Sequence, residues 1–424
     1  MNSPAHGLPH RTGSVTVQEV TSPGGLSAWL VEDYTVPIVT VNIAFRGGAA
    51  QEPKEKSGLT NMVSALLDEG AGDLDSQAFQ MRLADLNINL SFDAGQDTFH
   101  GNLRTLKLNE DAAFDMLRLA ITQPRFDAEP LERIRNQMLS NLRSAETEPH
   151  EIASKAWWES LFAEHPYGRQ THGTPETVAA IDAEDCRLIH RRLLARDNLY
   201  VVVVGAIDAA SLGRQLDHVF GDLPAASQLT HAGFVTPTAG QVLHLPLSVP
   251  QTTIHIGGAG INRDDPDFMA AYVANHIIGG GTFSSRMFKE VREKRGLSYS
   301  VGTGLVPLEH SGAWIGSAAT RTDKARTAID VMLEQAGDVA ASGPTDEELA
   351  KAKQYLIGNY ALRFDASQKI ARQLIHIYLD RLGVDYINRR NQLIRDLTHE
   401  DVKRAASRVF GGPVTIVTVG EQAP

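Results

Sequence analysis

The chain has very little cysteine and no long hydrophobic run, and each shortage excludes a class of protein. Its 424 residues include one cysteine, Cys186, so it can form neither an intramolecular disulfide nor a thiolate metal cage by itself. The longest apolar run, Leu199 to Ile207, is about half the length that a membrane-spanning helix needs. Met1 to Val20 also lacks the apolar block of a secretory signal peptide. We therefore expect a cytoplasmic protein without a membrane span, or a periplasmic one if an export signal was removed.

Positive charge is also in short supply. Forty Lys and Arg residues stand against 51 Asp and Glu residues, which gives a formal net charge of -11. This balance creates no field that attracts a phosphate backbone or an anionic lipid surface, so we expect no nucleic-acid partner. Hydrophobic residues make up 42% and charged residues 21% of the chain, as in ordinary soluble globular proteins. The length predicts two or three domains rather than one.

A long internal repeat divides the chain into two halves. Asn198 to Asp208 reads NLYVVVVGAID, a buried-strand pattern that returns as PVTIVTVGE at Pro413 to Glu421, about 215 residues later. At the same offset, two pairs of amphipathic helical stretches also correspond. These pairs are FDML (114–117) with IDVM (329–332), and PLERIRNQMLSNL (130–142) with EELAKAKQYLIGNY (347–360). The sequence therefore predicts two homologous halves.

A segment without helical periodicity separates the two halves. Residues 223–241 carry small residues and two prolines, which is typical of a linker. We therefore assign residues 1–222 to an N-terminal half, 223–241 to the linker and 242–424 to a C-terminal half. In each half, alternating β-branched runs precede amphipathic helices, as at 38–45 in the first. This order predicts an α+β fold rather than a regular βαβ winding.

A search for catalytic chemistry finds little in the residues themselves. After His10 the histidines form no H-x-H, H-x-x-H or H-x-x-x-H pair, and we interpret the nearest pair there, His165 and His172, as structural. A G-x-S-x-G nucleophile elbow is absent, which gives an α/β-hydrolase no support. Cys186 lies in a predicted amphipathic helix, where a buried thiol is the default expectation.

The segment after a glycine run carries the most informative residues. GGGTFSSRM (279–287) precedes a predicted helix that ends at Gly296, and LSYSVGTG then reads as a strand. Arg292 lies near the end of this helix and Tyr299 in the strand. From the residues alone, Arg292 would only complement the negative end of the helix dipole, and Tyr299 would be an ordinary strand aromatic.

A family resemblance changes the interpretation of these two residues. SSRMFKEVREKRGLSYSVG (284–302) resembles the C-terminal signature of the pitrilysin/insulinase family of zinc metallopeptidases, M16, in its mitochondrial-processing-peptidase-like branch. FRGGAAQEPKEKSGLTN (45–61) and HPYGRQTHGTPETV (165–178) extend the resemblance over nearly the whole chain. It implies two α/β-sandwich halves that are joined by a linker and close like a clam. It also implies that Arg292 and Tyr299 bind the substrate peptide.

The chain departs from the family at every position of the zinc site. Catalytic members carry an inverted motif, H-x-x-E-H, after a Gly-Leu dipeptide, and a further Glu ligand about 76 residues later. Asn61 and Ala65 occupy the two His positions, and Ser64 occupies the position of the general base. Asn141 stands where the last ligand belongs. Because zinc hydrolysis needs ligands for the ion and a base for its water, we expect no metal and no catalytic residue in this chain.

The resemblance, together with the lost zinc site, implies a non-catalytic subunit. We expect a heterodimer in which a homologous partner chain carries H-x-x-E-H and the zinc, and in which this chain binds unfolded peptide substrates. One alternative is a structural subunit, similar to the core proteins of a respiratory complex. Another is a homodimer that binds peptides without cleaving them. An independent hydrolase has the least support, because no other nucleophile or metal cluster was found.

Overall fold

The protein is built on two β-sheets, one in each half of the chain. The computed structural model describes residues 15–422, so the ends of the two expected halves, 1–14 and 423–424, lie outside the described residues. The strands of the first sheet are β1 (Gln18–Thr21), β2 (Ser27–Glu32), β3 (Ile38–Arg46), β4 (Asn89–Ala94), β5 (Thr98–Leu106) and β6 (Leu199–Gly205). The strands of the second are β7 (Val242–Pro246), β8 (Gln251–Ala259), β9 (Ser298–Leu308), β10 (Ser311–Arg321) and β11 (Thr415–Gly420).

Helices cover these sheets in both halves. The first half contains α1 (Leu59–Leu66), α2 (Ser76–Asp85), α3 (Glu110–Thr122), α4 (Ala128–Ala145), α5 (Pro149–Leu161), α6 (Pro175–Ala179), α7 (Ala183–Leu193) and α8 (Ala209–Phe220). The second contains α9 (Phe268–Asn275), α10 (Ala325–Ser342), α11 (Asp346–Gly358), α12 (Ser367–Leu379), α13 (Tyr386–Asp396) and α14 (His399–Phe410). Within residues 15–422, none of the helices combines the length and the apolar character needed to cross a membrane.

The two sheets repeat one topology. The first sheet has the order β1-β2-β6-β3-β5-β4, and the second has the order β7-β11-β8-β10-β9. Apart from the extra edge strand β1, the five strands of each half lie in the same order across their sheet. In both sheets the first and last of these five strands pair in parallel, β2 with β6 and β7 with β11. All other pairings in the two sheets are antiparallel.

The repeat that the sequence predicts is therefore confirmed at the level of topology. The strand pattern around 198–208 forms β6, and its counterpart forms β11 in the equivalent position of the second sheet. The helical pair FDML and IDVM lies in α3 and α10, which both follow a β-hairpin through one short 3₁₀ turn. The third pair forms α4 and α11. The α+β fold of two homologous halves is thus confirmed.

The halves exchange one helix each, which the sequence did not predict. Helix α5 belongs to the first half by sequence but packs on β8 and β11 of the second sheet. Its counterpart in the repeat, α12, packs on β3 and β6 of the first sheet. Because each sheet buries one face under a helix of the other half, the two halves share two hydrophobic clusters.

Aromatic side chains dominate both shared clusters. Trp157 of α5 is fully buried together with Val417 and Val419 of β11. In the other cluster, Trp29 of β2 stacks on Tyr378 of α12 with ring centroids 4.3 Å apart. Aromatic rings bury large apolar areas, so these contacts carry much of the energy that joins the halves.

The segment between the halves is exposed but tied down. Residues 223–241, all of them described, form no helix or strand. Thr230 donates its backbone N–H to the Gln51 side chain of the first half (2.8 Å), and Val235 donates to the His310 carbonyl of the second (3.0 Å). The segment therefore runs over the surface and is hydrogen-bonded to both halves.

Candidate functional site

Helix α1 carries three of the four residues that the resemblance assigns to the family's zinc-site positions. Asn61, Ser64 and Ala65 lie on this helix at spacings of three and four residues, so they share one face. Ser64 is buried, and its hydroxyl donates to the Asn61 carbonyl over 2.8 Å. A serine hydroxyl that is bonded to its own helix is a poor base, and an alanine methyl group cannot hold a metal ion.

The fourth position lies on a neighbouring helix. Asn141 is exposed on α4, which packs against α1. Its side-chain oxygen accepts a hydrogen bond from Gln137 Nε2 (2.9 Å), one turn earlier in the same helix. The four expected positions thus lie on two helices that pack together, and none of them carries an ionisable side chain. Among residues 15–422, no group of three or more His, Cys, Asp or Glu residues could hold a metal ion.

A buried carboxylate anchors the N-terminus of α1. Glu52 accepts hydrogen bonds from the backbone N–H groups of Gly58 (2.8 Å) and Thr60 (2.6 Å), and also from the Thr60 hydroxyl. Burial raises the pKa of Glu52 to about 7, although these hydrogen bonds act in the opposite direction. Glu52 lies within the resembling segment 45–61, but sequence reasoning did not single it out.

Arg292 and Tyr299 meet where the sequence places them, at a helix end and on the next strand. Residues Phe288–Glu293 form a π-helix, and Tyr299 is the second residue of β9. The Arg292 guanidinium carbon lies 4.4 Å from the centroid of the Tyr299 ring, within the range of a cation–π contact. Arg292 is half-buried, whereas 82% of Tyr299 is exposed. Gly296, with φ +57°, ends the helical segment as the sequence predicts.

Two basic residues of this helix end pair with a carboxylate, whereas Arg292 and the exposed Lys289 form no salt bridge among the described residues. Lys294 and Arg295 both pair with Glu290, at 2.6 and 2.5 Å. Among the described residues, no carboxylate lies within salt-bridge distance of Arg292, and its guanidinium donates no hydrogen bond. A half-buried guanidinium has five N–H donors, so this one is free to bind carbonyl or carboxylate oxygens of a ligand.

The glycine run ends one helical segment rather than beginning the next. Residues His276–Gly280 form a π-helix that directly follows α9. A 3₁₀ turn, Thr282–Ser284, comes next. Ser285 accepts a hydrogen bond from the Phe288 N–H (3.3 Å), as a serine near the start of a helix commonly does. The two π-helices on either side of this turn were not predicted, because the spacing of apolar residues does not separate α- from π-helical hydrogen bonding.

The remaining candidates from the sequence, Cys186, His165 and His172, lie where side chains contribute to packing, to local hydrogen bonds or to an exposed turn. Cys186 is buried in α7, and burial raises the pKa of its thiol to about 12, so the reactive thiolate is suppressed. His165 has one ring nitrogen 3.1 Å from the Ala232 carbonyl and accepts the Tyr167 N–H on the other. His172 is exposed in the turn that follows.

Comparison with known proteins identifies the family. Residues 28–175 match the model of the insulinase family, peptidase family M16, and residues 180–356 match the peptidase M16 inactive domain. A non-peptidase homolog, YmxG, from Helicobacter pylori is 25% identical over 78% of this chain and 77% of its own. An uncharacterized zinc protease from Streptomyces coelicolor is 28% identical over 96% of this chain and 90% of its own.

Solved structures agree with this result. The crystal structure of a peptidase M16 inactive domain from Pseudomonas fluorescens has a TM-score of 0.90 at 26% identity and covers 96% of this chain and 98% of that one. A protease from Helicobacter pylori has the same fold, with a TM-score of 0.87 at 16% identity over 96% of this chain and 99% of its own. The chain belongs to the insulinase (M16) peptidase family, and its likeness to the inactive domain and to a non-peptidase homolog supports a non-catalytic M16-like protein.

Proposed function

We propose that this chain is the substrate-binding, non-catalytic subunit of a heterodimeric zinc metallopeptidase that cleaves unfolded peptides. A homologous partner chain with H-x-x-E-H supplies the zinc and the general base. The proposal includes the division into an N-terminal half with a degenerate zinc site (1–222), a linker (223–241) and a C-terminal half with the binding pair (242–424).

One observation carries the proposal: among the described residues, Arg292 forms no salt bridge and instead lies against two aromatic rings. Arg292 lies against Tyr299 with its N–H donors free, and the Tyr299 hydroxyl is exposed beside it. Both groups can donate hydrogen bonds to peptide carbonyls. Close to a scissile carbonyl in the partner's site, they would also stabilise the negative charge that develops on its oxygen.

The test uses a heterodimer that is reconstituted with a zinc-bearing homologous chain. Arg292→Ala or Tyr299→Phe should lower kcat/KM for an unfolded peptide by roughly ten- to a thousandfold, the usual effect of losing one transition-state hydrogen bond. Arg295→Ala is the matched control, because Arg295 lies at the same helix end but pairs with Glu290. All three variants should assemble with the partner as the wild-type chain does, as measured by light scattering on a sizing column.

The same experiment separates the alternatives. If both site variants assemble and cleave at the wild-type rate, Arg292 and Tyr299 have only a structural role and the chain is a scaffold. If no zinc-bearing chain associates with it and the native mass is that of a homodimer, the heterodimer proposal is wrong. A homodimer that still binds peptide would then be a binding protein without proteolysis.

A further inference from the structure

A row of aromatic rings continues from the Arg292 and Tyr299 pair along the surface of the second half. The Arg292 guanidinium carbon contacts a second ring besides Tyr299: it lies 4.8 Å from the Phe288 ring centroid. Phe288 in turn meets Phe283 edge to face, with ring centroids 5.0 Å apart. We call these four residues, Phe283, Phe288, Arg292 and Tyr299, the aromatic ladder.

The two ends of the aromatic ladder are exposed, and its middle is not. Phe283 is 70% exposed and Tyr299 is 82% exposed, whereas Phe288 is buried under them. Isolated exposed apolar residues are common in soluble proteins and need no explanation. Here the exposed phenylalanine is connected, ring by ring, to a free guanidinium and an exposed tyrosine. Exposed apolar surface beside unpaired hydrogen-bond donors suits a ligand that carries both an apolar group and an acceptor.

The local backbone holds Phe283 in this position. Its 3₁₀ turn follows Gly281, where a Cβ atom would lie only 3.0 Å from the His276 ring. A side chain at Gly281 would therefore push the turn away from the helix below it. On the other side, the π-helix places Phe288 and Arg292 on one face, so the ring and the guanidinium touch.

The chemistry of the aromatic ladder indicates which occupant it fits. The free N–H donors of Arg292 need oxygen acceptors, and the exposed face of Phe283 needs an apolar group. A second copy of this chain in a two-fold contact would bring the same unpaired guanidinium against itself, which is unfavourable. An extended peptide supplies both groups at once, because its carbonyl oxygens and its side chains alternate along the chain.

We infer that Phe283 is a specificity-determining residue that selects peptides with a bulky apolar side chain, above all an aromatic one. This inference rests on the proposed function, since it assumes that Arg292 binds the peptide backbone. Each step of the aromatic ladder measures between 4.4 and 5.0 Å. An extended peptide rises by about 3.3 Å per residue, so the selected side chain lies within about four residues of the carbonyl at Arg292 and Tyr299.

The test compares two unstructured peptides that carry the same fluorescein label and no charged side chains. They differ only at one position, which is Phe in one peptide and Ala in the other. Their affinities for the full chain are measured by fluorescence anisotropy. The wild-type chain should bind the Phe peptide about tenfold more tightly, the lower end of what burial of an aromatic side chain gives. Phe283→Ala should reduce this preference to less than about twofold and leave the affinity for the Ala peptide unchanged.

Phe234→Ala is the matched control variant. Phe234 is also 70% exposed, but it lies in the linker segment 223–241 and outside the aromatic ladder. This variant should keep the full tenfold preference, and both variants should keep the wild-type melting temperature. Arg292→Ala should weaken the binding of both peptides by the same factor.

The outcomes distinguish this inference from the proposed function. If both peptides bind equally well, or if Phe283→Ala keeps the preference, the inference is overturned even though Arg292 still binds peptide. If Arg292→Ala changes neither affinity, the proposed function fails. If the wild-type chain binds neither peptide, both are wrong.

Discussion

The exchange of helices between the halves makes a specific prediction for Trp157→Ala. Trp157 lies on α5 of the first half, but its indole is fully buried against the second sheet. The fit is close: a Cβ atom on Gly257 of β8 would lie 2.7 Å from the Trp157 ring. Truncation to alanine should therefore leave a cavity that the surrounding strands cannot fill.

The expected cost follows from the size of the lost side chain. Replacement of a buried Trp by Ala typically lowers the free energy of unfolding by about 3–5 kcal/mol. A whole protein is typically stable by about 5–15 kcal/mol, so this is a large fraction of the total. For 424 residues the unfolding entropy is about 0.9 kcal/mol/K, so we expect the melting temperature to fall by roughly 3–6 °C. Trp158 is the matched control, because it is the next residue and is only half-buried. Its replacement by alanine should cost about 1–2 kcal/mol.

The assay combines thermal melting with hydrogen–deuterium exchange. Although the substitution is in the first half by sequence, the amides that lose protection should be those of β8 and β11 in the second, because α5 covers these strands. Trp158→Ala should leave their protection close to that of the wild type. If Trp157→Ala melts within about 1 °C of the wild type, or if β8 and β11 keep their protection, our account of how the halves are joined is wrong.

Three further predictions concern α1 and the lost zinc site. The purified chain should contain no stoichiometric zinc and should cleave no peptide; one tightly held zinc per chain with chelator-sensitive hydrolysis would refute this. Burial raises the pKa of Glu52 from 4.5 to about 7, so the native state binds this proton more tightly than the unfolded state. Stability should therefore fall as the pH rises from about 4.5 to 7, and Glu52→Gln should flatten this part of a denaturation-midpoint profile. Gly58→Ala should cost at least about 2 kcal/mol in urea denaturation, because φ is +96° and the new Cβ would lie 2.9 Å from a backbone oxygen. Gly25→Ala, with φ +84° and open space around it, should cost only about 1 kcal/mol.

Several features of this protein follow from the sequence alone. The repeat at an offset of about 215 residues predicts two halves of one topology, because strand patterns, helical periodicity and turn residues are local properties of the chain. The same local signals place Arg292 near a helix end and Tyr299 on the following strand. Family resemblance then predicts that Asn61, Ser64, Ala65 and Asn141 stand where catalytic relatives carry the zinc ligands and the base.

Tertiary structure decided what these local signals cannot contain. The exchange of α5 and α12 between the sheets depends on contacts between segments that lie about a hundred residues or more apart in the chain. The linker assignment did not reveal that the segment is fastened to both halves. Likewise, the sequence shows four basic residues near one helix end, but only their packing shows that Glu290 pairs with two of them and that Arg292 spans two rings. Local sequence therefore determined the elements and the lost chemistry, whereas the shared cores, the free guanidinium and the exposed Phe283 arise from how distant segments pack against one another.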